Sequence, residues 1–168
     1  MDIDALLADA IGRVSEQVPA VVGGLDETDL AWRPDPSANS VAWLVWHLAR
    51  VQDHHVAEIL DVDPIWVSGD YAERCGLDPD ASNTGYGHSP DEVAAVRPDS
   101  GDVLLEYLDA VSARTQQMLR GLTPDDLDRI VDRRWDPPVT LGVRLVSIAD
   151  DSLQHVGQAA YLRGLLDI

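Results

Sequence analysis

The sequence contains two imidazoles and a carboxylate that one metal ion could join. His47 is the only strongly polar side chain in the apolar run VAWLVWHLA, residues 41–49. Asp151 and His155 are four positions apart, so on a helix they lie one turn apart on the same face. Two histidines and a carboxylate are a familiar ligand set for zinc, nickel or ferrous iron, with coordination positions left for water or substrate. These residue types predict a divalent metal site, with zinc as the favoured ion.

Simpler explanations stay open for all three residues. A buried His47 needs a partner at each ring nitrogen, because an unsatisfied buried polar group costs about 1–3 kcal/mol, and a backbone carbonyl could serve. Asp151 and His155 could form a hydrogen bond within their helix, or Asp151 could pair with Arg144. All could belong to a buried network without metal, since spacing along two helices does not show that the helices meet.

Further polar residues on the same helices are candidates for a pocket. Arg144 and Gln158 share the three- or four-residue spacing of Asp151 and His155, and are predicted to line a pocket or support the ligands. His54 follows His47 by seven positions and is a third candidate, although a surface position near the helix end would also fit it.

The remaining titratable residues are weaker candidates. His55 is expected to point elsewhere and to be solvated. His88, in the glycine-rich segment NTGYGHSP, could line a pocket. Cys75 is expected to be a small buried residue and not a nucleophile.

Helices are predicted to carry these residues. Apolar residues recur every three or four positions in four long segments. The segments cover about residues 2–22, 39–60, 100–120 and 140–165. A weak strand pattern occurs only near residues 130–135. The chain is therefore expected to be all-α, a four-helix bundle forming one domain over residues 1–168. The last segment is apolar on more than one side and is expected to be the central helix.

The connection between the second and third long helices is unusually long, at roughly 40 residues. It is expected to hold short helical pieces, one over residues 65–74 and one after Ser89. Long connections in compact domains usually carry function, so this one is a candidate lid or pocket wall.

Composition excludes several classes of function. The net charge of −18 repels phosphate backbones, which argues against nucleic acid as a partner. The single cysteine permits no intrachain disulfide and no cysteine-rich zinc site. No apolar run approaches the roughly 20 residues that span a bilayer, and the first residues are acidic, unlike a leader. We expect a cytoplasmic protein without a membrane partner.

Two segments carry a family resemblance. SVAWLVWHLARVQDHHV and DDSLQHVGQAAYLRGLL, most specifically Trp46–Leu48 and His155–Gln158, resemble the DinB-like superfamily. Within it they are similar to the actinobacterial mycothiol-transferase branch, which is related to mycothiol-dependent maleylpyruvate isomerase. The resemblance implies a four-helix bundle in an up-down-down-up arrangement with a divalent metal at one end. The implied ligands are His47, Asp151 and His155. At the position of Asp151, many relatives have histidine and the isomerase has glutamate.

The activity that the resemblance implies is thiol transfer. Mycothiol or a similar low-molecular-weight thiol would bind the metal as a thiolate and attack an electrophilic small molecule, in detoxification or isomerisation. Two alternatives stay open: a non-catalytic metal-binding or stress-associated bundle, and a metal-free structural bundle. Related bundles often pair, so a homodimer is compatible with the resemblance.

Overall fold

Helices form most of residues 1–166, the part of the chain that the computed structural model describes. In chain order they are α1 (Ile3–Val22), α2 (Glu27–Ala31), α3 (Val41–Leu60), α4 (Tyr71–Arg74), α5 (Pro90–Ala95), α6 (Gly101–Leu119) and α7 (Leu141–Leu165). Single 3₁₀ turns occupy Ile65–Val67 and Pro124–Asp128. The mostly helical fold and the four long segments are confirmed. The last two positions of the domain predicted over residues 1–168 lie outside the described residues.

Side-chain caps fix the start of the two helices that carry the candidate ligands. The Ser40 hydroxyl accepts a hydrogen bond from the Trp43 backbone N–H at 3.1 Å, and α3 begins there. The Thr140 hydroxyl accepts from the Val143 N–H at 3.3 Å at the start of α7. Each cap satisfies a backbone donor that has no partner inside the helix.

Helix α3 is the most buried of the long helices. Its buried positions lie on every side between Val41 and Arg50, so the helix is surrounded there. The prediction that the last helix is central is wrong, because α7 has an exposed face. That face carries apolar residues at Val143, Val146, Leu153, Tyr161 and Leu165. A helix that is apolar on several sides can leave one of those sides in water, since burial also depends on what packs against it.

Two clusters of buried apolar side chains join the long helices. The larger includes Val18, Leu44, Trp46, Leu104 and Val156. The smaller consists of Ile11, Val56, Leu119, Leu141, Leu145 and Ile148. Burial of one such aliphatic side chain contributes about 1.5–3 kcal/mol, so these contacts hold α3 against α7.

A small antiparallel sheet corrects the all-α prediction. Strands β1 (Ile130–Asp132) and β2 (Val139–Thr140) pair with Ile130 opposite Thr140. The weak strand pattern near residues 130–135 indicated this region. Prolines 137 and 138 lie in the turn and cannot donate the backbone hydrogen bonds that a helix interior requires. The hairpin leads directly into α7.

Candidate metal centre

The imidazole of His47 is fixed by a stacking contact on one face and by a hydrogen bond at one ring nitrogen. Helix α3 presents it among apolar neighbours at 5% exposure, stacked on the Trp43 indole with ring centroids 4.5 Å apart. Its Nδ1 atom is hydrogen-bonded to the backbone carbonyl of Thr84, in the connection between α3 and α6. A carbonyl oxygen only accepts hydrogen bonds, so Nδ1 carries the proton and Nε2 holds a lone pair.

The structure brings His47 into contact with the two candidates on α7. Its Nε2 atom lies 3.8 Å from Asp151 Oδ1, and His155 Nε2 lies 3.4 Å from the same oxygen. The ligand atoms of all three residues lie within 4.8 Å of one another. Ligand atoms around a tetrahedral zinc ion are about 3.3 Å apart, so this spacing is close to that of a metal site.

His155 is oriented in the same way as His47. Its Nδ1 atom is 2.8 Å from the Gln158 amide oxygen, so Nδ1 donates and Nε2 again holds the lone pair. Ligand histidines in metalloproteins are typically fixed by such a bond from the second nitrogen. Gln158 therefore contacts a candidate ligand.

A cation fits among these atoms better than a hydrogen-bonded network does. The Nε2 lone pairs of His47 and His155 and the Asp151 Oδ1 atom face one another. When both imidazoles are neutral, all three are hydrogen-bond acceptors and none of them is a donor. Asp151 Oδ2 is also buried and has no hydrogen-bond partner among residues 1–166. A buried oxygen without a partner is costly, and a divalent ion would satisfy it. The residues present thus fit a divalent metal.

Protonation of the two histidines differs in the absence of an ion. Burial lowers the pKa of His47, and the attraction of Asp151 offsets this only in part. Burial also lowers the pKa of His155, but the protonated ring can donate to both Asp151 and Gln158, and these bonds outweigh burial and raise the pKa. A single proton would therefore go to His155 first, while His47 stays neutral.

A buried arginine fastens the loop that orients His47. Arg50, one turn after His47 on α3, is fully buried and donates to the backbone carbonyls of Ala81 (3.0 Å) and Asn83 (3.1 Å). These bonds position the segment next to Thr84, whose carbonyl holds the imidazole. The loop then passes close to α3 at Gly85, which has a φ of 89°.

Arg50 is part of a buried network that the sequence did not indicate. Its guanidinium lies 3.3 Å from the Asp53 carboxylate, and both groups contact the Tyr107 hydroxyl. Asp53 also accepts hydrogen bonds from the backbone N–H groups of Ile65 and Trp66, both at 2.9 Å. The spacing of Arg50 and Asp53 along α3 was the available signal, but a charged pair on a helix is usually solvated.

A cavity of about 610 Å³ opens beside the candidate ligands. It is lined by His47, Val51, His54, His55, Thr84, Tyr86, Asp132, Arg134, Trp135, Arg144, Ser147 and Asp151. His54 and Arg144 thus lie on the cavity wall. Gln158 does not line this cavity. The long connection supplies Thr84 and Tyr86, and the β-hairpin supplies Asp132 and the turn residues.

Arg144 is paired with a residue that the sequence did not suggest. Its carboxylate partner is Asp132 at 2.8 Å, not Asp151. Its other terminal nitrogen donates to His55 Nε2 at 3.2 Å. His55 was expected to be solvated, and this is wrong: it lines the cavity, and its side chain is only 19% exposed. Burial first, and then the charge of Arg144, lowers the pKa of His55 to about 4.

A second group of possible ligands, His54, His55 and Glu58, fits a metal less well. His55 Nε2 already accepts from Arg144, so its Nδ1 carries the proton and cannot coordinate. The Glu58 carboxylate is 2.8 Å from the guanidinium of Arg134. Two of the three potential ligands, His55 and Glu58, are therefore engaged by arginines, which leaves the group of His47, Asp151 and His155 as the better metal centre within residues 1–166.

Two minor candidates have structural roles. His88 packs on Trp46 and accepts a hydrogen bond from the Trp43 indole at 3.1 Å, so it ties the loop to α3 and does not line the cavity. Cys75 is buried, as expected, and burial raises the pKa of its thiol to about 12.

Comparison with known proteins identifies the family and supports the fold. Residues 10–159 match the DinB superfamily. A conserved protein from Enterococcus faecalis with a known crystal structure is 33% identical, with 99% of this chain and 98% of that chain covered and a TM-score of 0.89. No curated protein matches the chain. Within residues 1–166 no helix is long and apolar enough to cross a membrane. The chain therefore belongs to the DinB superfamily.

Proposed function

We propose that this DinB-superfamily protein is a metal-dependent thiol S-transferase. One divalent ion, zinc before nickel or iron, would be held by His47, Asp151 and His155. The co-substrate would be mycothiol or a similar low-molecular-weight thiol, and the acceptor an electrophilic small molecule. The observation that carries the proposal is the convergence of two imidazole lone pairs on one Asp151 oxygen, beside an open cavity.

The chemistry of such an ion suits thiol transfer. A bound divalent cation lowers the pKa of a coordinated thiol and keeps it as the nucleophilic thiolate at neutral pH. In the reaction, sulfur forms a bond to the electrophilic carbon, the leaving group departs with the electrons of its broken bond, and the thiol proton passes to solvent. The chain supplies no thiol itself, because burial raises the pKa of Cys75 to about 12.

The protein's own residues would orient and shield the reaction. Thr84 and Gln158 hold the two imidazoles with their Nε2 atoms directed at Asp151. Trp43 covers one face of the His47 ring and excludes water from it. The cavity wall, with Val51 and Ser147, leaves room for the thiol and its acceptor.

Several finer points belong to the same proposal. The choice of mycothiol rests on the resemblance of the α3 and α7 segments to the actinobacterial branch. The up-down-down-up order of the four long helices rests on the same resemblance. We also propose cytoplasmic action on small molecules without nucleic acid or membrane partners, and a homodimer is compatible with this function.

Metal titration with a thiol readout tests the proposal. The purified protein is stripped with a chelator and titrated with zinc, and then with cobalt as a spectroscopic substitute. We expect one ion per chain and its loss in His47→Ala and His155→Ala. Addition of the thiol should produce a sulfur-to-cobalt charge-transfer band. Absence of metal binding would overturn the metal centre. Metal binding without a thiol band would favour the non-catalytic metal-binding bundle instead.

A further inference from the structure

Two large aromatic side chains that line the cavity are exposed to solvent. Tyr86 is 93% exposed and Trp135 is 65% exposed, and both line the cavity that contains His47 and Asp151. They come from different parts of the chain, one from the connection after α3 and one from the turn between β1 and β2. Exposed aromatic residues that converge on one cavity are typical of ligand-binding surfaces.

Packing within the protein does not account for these two side chains. Neither Tyr86 nor Trp135 belongs to the apolar clusters formed within residues 1–166. Each loop is fastened by other residues: Arg50 holds the first, and the hairpin is anchored by Asp132 through Arg144. The aromatic rings are thus presented by loops whose positions do not depend on them.

The two arginines that line the cavity, Arg134 and Arg144, are paired with carboxylates of the protein. Arg144 is bonded to Asp132 at 2.8 Å and to His55. Arg134 is bonded to Asp132 at 2.9 Å and to Glu58 at 2.8 Å. An anionic group on a substrate would have to compete with these carboxylates for either guanidinium. The arginines therefore shape the wall and do not select for negative charge.

We propose that the electrophile is uncharged and carries a planar aromatic ring, which binds between Tyr86 and Trp135. This inference rests on the proposed function and names the acceptor class for the same site. Stacking on the two rings would direct the reactive carbon toward His47 and Asp151, deeper in the cavity. For a ring with a halide substituent, the carbon–sulfur bond forms at the carbon that bears the halide. The halide then leaves with the electrons of the broken bond.

Binding of unreactive probes to the protein tests the proposed aromatic-binding site between Tyr86 and Trp135. Equilibrium dialysis compares neutral 2,4-dinitroaniline with 4-amino-3,5-dinitrobenzoate, which adds a carboxylate to a similar ring. We expect the neutral probe to bind at least about 5-fold more tightly. Tyr86→Ala and Trp135→Ala should each weaken its binding about 5-fold, and Trp135→Phe should restore most of it.

The control is Tyr161→Ala, since Tyr161 is equally an exposed aromatic residue, at 69%, but lines a different surface depression on α7. It should leave probe binding unchanged. Tighter binding of the carboxylate probe, or equal binding by the wild type and both alanine variants, would overturn the proposed aromatic-binding site. The assay is run on chelator-treated protein and on His47→Ala, so probe binding can be measured even if the protein binds no metal. Loss of the aromatic-binding site would likewise leave metal binding unchanged.

Discussion

Gly85 passes so close to His47 that a Cβ atom on Gly85 would lie 2.7 Å from His47 Nδ1. The same atom would lie 2.9 Å from the Trp46 ring and 3.2 Å from the Trp43 ring. The close approach allows the neighbouring carbonyl of Thr84 to reach the imidazole. The loop and the candidate ligand are therefore a single packed unit, and the glycine is required both for space and for its φ of 89°.

Substitution of Gly85 should damage stability and metal binding together. Gly85→Ala combines a strained backbone with a steric clash, so we expect unfolding free energy to fall by about 3 kcal/mol. Gly87→Ala is the matched control, since Gly87 also has positive φ but a Cβ there meets nothing within 4 Å. It should cost only about 1 kcal/mol. Urea unfolding measures the loss of unfolding free energy in each variant, and equal losses in the two variants would show that the contact with His47 is unimportant.

The carboxylate of Asp151 should be essential for metal affinity. Asp151→Asn keeps the shape but removes the charge, and we expect zinc affinity to fall more than about 100-fold. Competition with a chromophoric chelator measures the dissociation constant. Asp150→Asn is the control, because Asp150 is exposed and bonds to Gln154 on another side of α7. An unchanged affinity in Asp151→Asn would remove Asp151 from the ligand set.

Arg50 should act on the metal centre from a distance. Arg50→Met leaves the buried Asp53 carboxylate with only the more distant Arg114 guanidinium, at 3.7 Å, and removes the donors to two loop carbonyls, so we expect a loss of about 3 kcal/mol in unfolding free energy. Arg50→Lys keeps the charge but cannot reach both loop carbonyls in the same geometry. In that variant zinc affinity should fall about 10-fold or more, because the Thr84 carbonyl is no longer fixed.

A surface pair provides the comparison for Arg50. Arg74→Lys alters an arginine that bonds to Asp99 and Glu106 at the protein surface. Exposed pairs contribute about 0–1 kcal/mol, and zinc affinity should not change. If Arg50→Lys bound zinc as tightly as Arg74→Lys does, the loop would not depend on Arg50 for its orientation.

His55 should make the metal-free protein lose stability on mild acidification. Its pKa is about 4 in the folded protein, from burial and the charge of Arg144, against an ordinary value of 6.5. As the pH falls, the unfolded chain therefore binds a proton at His55 before the folded protein does. The contribution of neutral His55 to the unfolding free energy is fully present above pH 6.5 and is lost between pH 6.5 and about 4. The expected loss is on the order of 3 kcal/mol. Urea unfolding across this range should show a smaller loss in His55→Gln, and identical pH profiles would refute the prediction.

The sequence predicted the features that depend on neighbouring residues. Apolar residues repeated at three and four positions placed the four long helices to within a few residues. The spacing of Asp151 and His155 put both on one face of α7, because one helical turn relates them whatever surrounds the helix. The isolated position of His47 in an apolar helix likewise indicated burial.

Only the tertiary structure decided which residues meet. The contact of His47 with Asp151, the partner of Arg144 and the burial of His55 join residues far apart in the chain, and helical phase carries no information about them. The same holds for Arg50, whose charge alone suggested a solvated residue. Its burial is tolerated because backbone carbonyls from a distant loop and the Asp53 carboxylate satisfy it. Periodicity thus determines local elements, whereas the partners of polar groups are determined by packing between elements.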